Sequence, residues 1–150
     1  MRRKMLLLSQ WQPLLQWQCF SRRDKEVNGL TYSQKKYLFA IYKLGQNGED
    51  VKSSEVARLV GVSKASTAAM AVKLCESGYI RKEHYGQIGL TENGVKAANS
   101  IYTSYIIIRD FLENALGLDE KTADADAVKI VIHASEKTVN HLAEYLLKRC

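Results

Sequence analysis

Residues 53–67 decide the fold, and they run SSEVARLVGVSKAST. Apolar side chains recur at spacings of three and four in the first half of this stretch, which predicts a short amphipathic helix. Ser53 or Ser54 can cap that helix, and Gly61 ends it. Ser63 then caps another helix, so that only a tight turn separates the two. The apolar positions predicted to be buried in the first of them are Val56, Leu59 and Val60.

The flanking sequence extends this pair of helices into a larger motif. Upstream, residues 37–44 carry apolar side chains at helical spacing, which predicts a helix that ends at Gly45. Downstream, two short β-prone runs flank a Tyr85-Gly86 turn, as in a small hairpin. Helix, helix, turn, helix and hairpin follow one another as in a winged helix-turn-helix. The sequence therefore predicts three helices and a two-stranded wing over residues 29–91.

The remaining residues, 92–150, predict helices alone. A long helix begins after the capping residue Thr91 and continues to Gly117, and shorter helices begin at Asp119 and Ser135. The apolar surface of the long helix exceeds what a chain of 150 residues can cover, so we expect part of it to meet a second subunit. The predicted fold is mostly α, with a winged helix-turn-helix followed by an all-helical dimerisation region.

Charge is distributed unevenly along the chain. The 22 Lys and Arg exceed the 16 Asp and Glu by six. Residues 1–28 contain six basic and two acidic side chains, residues 29–100 ten and six, and residues 101–150 six and eight. The basic excess in the first two thirds favours a polyanionic partner such as nucleic acid.

Residues 1–28 form a poorly defined N-terminal extension. Their leading apolar run is too short for a secretion signal or a membrane-spanning helix. Trp11, Trp17 and their apolar neighbours could form an amphipathic segment that rests on a membrane, a partner subunit or DNA, or the extension could be an unstructured appendage or a misassigned start. The three cysteines lack any short spacing, so we expect a reducing cytoplasm. We also expect no membrane partner.

Small and polar side chains at the start of the third helix would allow it to enter the major groove of DNA, and cations on the wing would bind the backbone. The same residues could also be simple helix formers and a solvated strand, but their order on a basic segment favours contact with double-stranded DNA. The predicted DNA-binding residues are Ser63, Lys64, Ala65, Ser66, Thr67, Lys73, Arg81, Lys82, His84 and Tyr85.

Three other functions are weaker alternatives. No catalytic motif is present, so we do not expect an enzyme. A winged-helix module that binds protein instead of DNA is less favoured, because the third helix and the wing are net positive. Sensing of a small molecule or a thiol state through Cys75 has only that one side chain in its favour, and we expect the thiol to be buried.

Several segments together carry a family resemblance: residues 37–44, 56–59, 62–66, 72–74, 78–80 and 89–94, then 111–112, 117–119 and 133–135.

In order and spacing, these segments resemble the diphtheria-toxin-repressor and manganese-transport-regulator family of bacterial metal-dependent repressors. The resemblance implies a homodimer that binds a palindromic operator, with the wings on DNA and the last three helices in the dimer interface. It implies a repressor of transcription, and it covers about 118 residues.

Relatives in that family sense Mn²⁺ or Fe²⁺ through side chains of the first, long and fifth helices, and this sequence departs from them there. Neither a cation nor an apolar side chain can donate a lone pair to such an ion. We therefore expect no metal and no cofactor, although a rearranged Mn²⁺ or Fe²⁺ site, with His133 as one ligand, is the alternative. The implied ligand positions fall on Lys36, Phe39, Tyr105, Arg109, Val128, Val131 and Ile132.

Overall fold

The computed structural model describes residues 29–46 and 49–149, so the predicted extension over residues 1–28 lies outside the described part. The chain from Thr31 onward forms one compact unit, mostly α-helical, which confirms the predicted fold class. In chain order the elements are α1 (Tyr32–Leu44), β1 (Val51–Lys52), α2 (Ser53–Val60), α3 (Lys64–Glu76), β2 (Ile80–Lys82), a 3₁₀ turn (His84–Gly86), β3 (Gln87–Leu90), α4 (Glu92–Asp110), a π-helical turn (Phe111–Ala115), α5 (Glu120–His133) and α6 (Glu136–Leu147).

The turn between α2 and α3 is as tight as the sequence predicts. Gly61 takes the left-handed conformation, with φ 76° and ψ 38°, and its N–H donates to the carbonyl oxygen of Ala57 at 3.0 Å. Ser63 then caps α3, because its side-chain oxygen accepts from the N–H of Ser66 at 3.1 Å. These two residues fix the angle at which α3 leaves α2.

Two details of α2 correct the sequence prediction. Lys52, and neither of the two serines, occupies the N-cap, because strand β1 keeps the chain extended up to Lys52 and the helix begins directly at Ser53. Leu59 is 46% exposed, since Val56, Ala57 and Val60 form the inner face of this short helix.

The wing is a three-stranded antiparallel sheet, in the order β1-β3-β2. The sequence predicts only β2 and β3; the structure adds β1, in which Val51 pairs with Ile88. A strand of two residues is too short to show an alternating pattern, which is why the sequence does not reveal it. Val51, Ile80 and Ile88 all point inward and anchor the sheet in the core.

Helix α4 is the centre of the molecule and packs on both halves of the chain. Its residues Tyr105 and Ile108 are almost completely buried. The ring of Tyr105 meets Phe39 of α1 edge-on at 5.0 Å between centroids, and Tyr102 packs beside both. The helical half and the winged half therefore share one core. None of the helices in the described residues is long and apolar enough to cross a membrane.

A close contact seats the hairpin on the start of α4. The hydroxyl of Thr91 accepts from the N–H of Gly94 at 3.1 Å and donates to the carbonyl oxygen of Gly78 at 2.6 Å. A Cβ at position 94 would lie 1.8 Å from the carbonyl oxygen of Tyr79, so only glycine fits there. The residues Leu90-Thr91-Glu92-Asn93-Gly94 thereby hold the hairpin against the first turn of α4.

Candidate nucleic-acid interface

The start of α3 presents small polar groups to solvent. Lys64, Ala65 and Ser66 are exposed, as is the cap Ser63. The hydroxyl of Ser63 donates to that of Ser66 at 2.9 Å, which leaves the Ser66 hydroxyl able to donate outward. Lys64 takes part in none of the ion pairs found among the described residues. This helix end is therefore free of bulky side chains and carries a cation without an internal partner.

Thr67 does not belong to this surface, which corrects the prediction that it contacts DNA. Its side chain is 1% exposed, and its hydroxyl donates to the carbonyl oxygen of Ser63 at 3.1 Å. Thr67 lies one turn after the cap, on the face of α3 that packs on the core beside Ala71 and Leu74. It stabilises the helix from inside.

The exposed face of α3 continues beyond the predicted DNA-binding residues at its start. Ala69 and Val72 follow Ala65 at helical spacing and are exposed, Val72 by 43%. Their spacing of four and seven residues from Ala65 is the sequence signal that places them on the same face of the helix. Lys73, one of the predicted DNA-binding residues, is exposed. Cys75 is also exposed, which corrects the expectation of a buried thiol.

The tip of the wing projects into solvent. Lys82 and His84 are exposed, and Tyr85 is completely so. Tyr85 and Gly86 have φ values of 61° and 73°, and the N–H of Gln87 donates back to the carbonyl oxygen of His84. Two consecutive residues with positive φ are typical of a type I′ turn, in which the first position favours Asn over a bulky side chain.

Arg81 is held inside the wing instead of facing outward. Its guanidinium contacts Asp50 and Glu83, each at 3.0 Å, and donates to the carbonyl oxygen of Leu90 at 2.6 Å. Gly89 makes room for it, since a Cβ there would lie 2.6 Å from the guanidinium carbon. Although Arg81 is half exposed, its charge is neutralised by neighbours on the wing, which corrects its predicted role as a free backbone-binding cation.

A second polar cluster lies where α1, α4 and α5 meet, lining a cleft of about 690 Å³. Asp124 of α5 is its centre: its carboxylate is 3.3 Å from the ammonium of Lys43 and 4.0 Å from Nε of Arg109, and it accepts a hydrogen bond from the hydroxyl of Tyr105. Arg109 also pairs with Glu120 at 3.0 Å. Nothing in the sequence marks Lys43 and Asp124 as partners, because they lie 81 positions apart.

Protonation equilibria in this cluster follow from its contacts. Burial raises the pKa of the Asp124 carboxyl, but the hydrogen bond from Tyr105 and the charges of Lys43 and Arg109 outweigh it, so that the pKa is lower than usual. Burial and the hydrogen bond to Asp124 raise the pKa of Tyr105. At neutral pH Asp124 is therefore a carboxylate and Tyr105 a neutral phenol that donates to it.

The seven implied metal-ligand positions do not form an ion site here. Phe39, Tyr105, Val131 and Ile132 are buried in the core, and Lys36 is exposed. The ring of His133 contacts the hydroxyl of Tyr32. Within residues 29–46 and 49–149, no group of three or more His, Cys, Asp and Glu side chains is arranged to hold a metal ion.

Together, a tight helix-turn-helix, an exposed polar α3, a projecting wing and a helical second half define a winged-helix DNA-binding protein. Residues 29–88 match the family described as iron dependent repressor, N-terminal DNA binding domain. Residues 91–149 match the family described as iron dependent repressor, metal binding and dimerisation domain. The chain belongs to the diphtheria-toxin-repressor and manganese-transport-regulator family, as the resemblance predicts, and is a DNA-binding transcriptional regulator.

Individual relatives agree with this assignment. An uncharacterized HTH-type transcriptional regulator of Methanocaldococcus jannaschii is 34% identical over 117 residues, which are 78% of this chain and 90% of that protein. MntR of Lysinibacillus sphaericus is 27% identical over 114 residues, 76% of this chain and 81% of that one. The crystal structure of T. acidophilum IdeR has a TM-score of 0.67 at 19% identity, and the match covers 82% of this chain. It covers only 55% of the IdeR chain, so this chain spans about half of that protein. At this identity the likeness concerns the fold alone.

The expectation of no metal cofactor is wrong at the level of the family. Residues 91–149 match a domain described as metal-binding, and the relatives include MntR regulators. Loss of the family's ligand residues at individual positions does not by itself mean that the domain binds no metal. The side chains at those positions in this chain do not fit a metal ion.

Proposed function

We propose that this chain represses transcription in the cytoplasm by binding a palindromic operator as a homodimer, with α3 in the major groove and the wing along the backbone. The exposed, small-residue start of α3 is the observation that carries this proposal. A helix that enters the groove must have backbone amides and short side chains at its leading end, and residues 63–66 have both.

Within α3 and the wing, the contacts divide by chemistry. Lys64 and Ser66 have donors free to meet base edges or phosphates, whereas Ala65 can touch only a thymine methyl group. Lys82 and His84 on the wing, and Lys73 near the end of α3, are placed to bind phosphates. Tyr85 extends this contact at the tip.

The helical half supports dimer formation. Its match to a family domain described as a dimerisation domain covers α4 to α6. Two large apolar side chains there are exposed by more than half: Leu116 after the π-helical turn and Tyr145 on α6. Exposed apolar groups of this size are typical of surfaces that meet another subunit. A homodimer would place two copies of α3 on one face of the duplex.

Substitution of Lys64 tests the proposal. The probe is a duplex enriched from a random library by the wild-type protein, and affinity is measured by fluorescence anisotropy at fixed salt. Lys64→Ala should weaken binding by about 1–3 kcal/mol if the lysine meets a base, or weaken all duplexes equally if it meets a phosphate. Lys129→Ala, an exposed lysine on α5, is the matched control and should bind normally. A wild-type protein that enriches no duplex would refute the proposal.

A further inference from the structure

We propose that Lys43 and Asp124 act as positioning residues that lock the winged half onto the helical half, so that both copies of α3 are presented at the separation the operator requires. The proposal extends the proposed function and depends on it. Its basis is a contact between two residues that lie 81 positions apart in the chain.

The contact joins the winged half to the helical half, which no other ion pair of residues 29–46 and 49–149 does. Lys43 lies in the last turn of α1, in the winged half, and Asp124 lies on α5, in the helical half. Among the described residues, every other ion pair stays within one of the two halves. This single pair is therefore the ionic link between the DNA-contacting surface and the region matched to a dimerisation domain.

The surroundings restrict both partners. The Lys43 ammonium lies 5.3 Å from the ring centre of Tyr105 and 5.9 Å from that of Phe39, so aromatic faces hold it on one side. The two side chains are only 33% and 37% exposed, which limits solvent screening compared with a pair on the open surface.

Asp124 is in turn held by α4. Tyr105 donates to its carboxylate, and Arg109 lies beside it with an Nε that is buried and has no hydrogen-bond partner. Arg109 is fixed from its other end by Glu120. One carboxylate thus ties α1, α4 and α5 together, and neutralising it would leave Lys43 without its partner and Arg109 with one carboxylate fewer.

A small change in the angle between the winged half and the helical half matters because both subunits of a dimer would shift their α3 helices, so the change in separation is doubled. Half-sites bound by helix-turn-helix dimers are centred about 34 Å apart, one turn of the duplex, so the two recognition helices must match that spacing. A change in the angle at which the winged half packs on α4 would present α3 at a different separation. Loss of the Lys43–Asp124 contact should then lower affinity for the correct spacing and relax the preference for it.

The test uses the full chain, the duplex enriched by the wild type, and two further duplexes with one base pair added or removed between the half-sites. All binding is measured at one fixed Mn²⁺ concentration, because the family's second domain is a metal-binding domain. The variants are Lys43→Met, which keeps the apolar stem, Asp124→Asn, and Lys43→Arg. Helical content by circular dichroism and dimer mass by sedimentation accompany each titration.

The two main variants have opposite charge effects, which separates the proposal from simple electrostatics. Lys43→Met removes a positive charge and Asp124→Asn a negative one, so direct interaction with phosphates would change affinity in opposite directions. A positioning role predicts a loss of about fivefold in both, with a flatter response to spacing. Lys43→Arg should retain wild-type binding. Lys129→Met, which breaks an ion pair within α5, is the matched control.

The proposal is overturned if Lys43→Met and Asp124→Asn bind as tightly and with the same spacing preference as the wild type, if their effects have opposite signs, or if Lys129→Met loses as much. Should Lys43→Met fail to fold, Asp124→Asn decides by the same measurements. A wild-type protein that enriches no duplex removes the proposed function, and this inference with it; a wild type that binds while the variants bind equally well removes this inference alone.

Discussion

The start of α3 and the junction of α1, α4 and α5 are both rich in polar side chains, but they are built in opposite ways. At α3, Lys64 is exposed and enters no ion pair among the described residues. At the junction, Lys43 and Arg109 each face a carboxylate across a helix boundary. Cations at the first region are available to an external polyanion, and those at the second are already neutralised inside the molecule.

The wing repeats this contrast within a few residues. Arg81 is enclosed by Asp50 and Glu83, whereas Lys82, its neighbour in sequence, points away. The net charge of the sequence does not distinguish the paired Arg81 from the exposed Lys82, because each residue adds one positive charge. Where a cation ends up depends on the pairing of strands and on which carboxylates that pairing brings near.

The largest expected effect is on stability, at the contact between the wing and the start of α4. Gly94→Ala should destabilise the fold by about 3 kcal/mol, because the new Cβ would clash with the backbone oxygen of Tyr79, which cannot move without disturbing the N–H bond from Thr91. Urea unfolding followed by circular dichroism measures the change. Asn93→Ala, at the exposed neighbouring position, is the control and should leave the midpoint nearly unchanged. An unchanged midpoint for Gly94→Ala would show that wing and helix are not seated as described.

Arg81 and Lys82 give the next largest effects, and they should be of different kinds. Arg81→Met should lower the free energy of unfolding by about 1 kcal/mol, since it removes ion pairs within the wing. Lys82→Met should leave stability unchanged, but it should weaken binding to all duplexes and reduce the salt dependence by about one phosphate contact. Chemical denaturation and anisotropy at several salt concentrations measure both. Equal behaviour of the two variants would contradict the contrast.

Much of the fold can be predicted from the sequence, because the residues that begin and end each helix are marked by their near neighbours. Caps at Thr91, Asp119 and Ser135 are the residues that the structure uses, and Gly61 ends α2 as predicted. Helical periodicity and capping depend only on neighbours within a few residues, so one sequence suffices to find them. Strand β1 escaped detection because its two residues are ordered by a partner 37 positions away.

The candidate site is less predictable, because exposure and pairing depend on the whole fold. Thr67 belongs to a run of small polar residues, yet its position one turn after the cap turns it into the core. Arg81 looks free in the sequence, and only the sheet brings Asp50 to it. The Lys43–Asp124 contact could not be foreseen, since nothing near either residue in sequence marks the other.

Tyr85 offers a smaller effect, in which stability and binding should move in opposite directions. Tyr85→Asn should raise the free energy of unfolding by about 0.5 kcal/mol, because Asn followed by Gly suits a turn with two positive φ values and the exposed tyrosine ring loses no packing. It should also lower affinity for duplex DNA if the ring contacts the backbone. Thermal unfolding and anisotropy test the pair, with Tyr85→Phe, which keeps the ring at the same positive φ, as the control that should leave stability unchanged. Unchanged binding would remove Tyr85 from the interface.

The smallest effect concerns the junction and is a difference in how stability depends on pH in acid. The pKa of Asp124 is lower in the folded protein than its ordinary value, because the Tyr105 hydroxyl and the Lys43 and Arg109 charges outweigh burial. Its contribution to stability is therefore present above about pH 4 and lost as the pH falls through the folded-state pKa. The free energy of unfolding should decline less steeply below pH 4 in Asp124→Asn than in the wild type, and the difference is small because the side chain is 37% exposed. Urea titrations across that range measure it, with Asp126→Asn on the same helix as the control, and equal slopes in wild type and Asp124→Asn would show that the junction does not hold its carboxylate in the charged form.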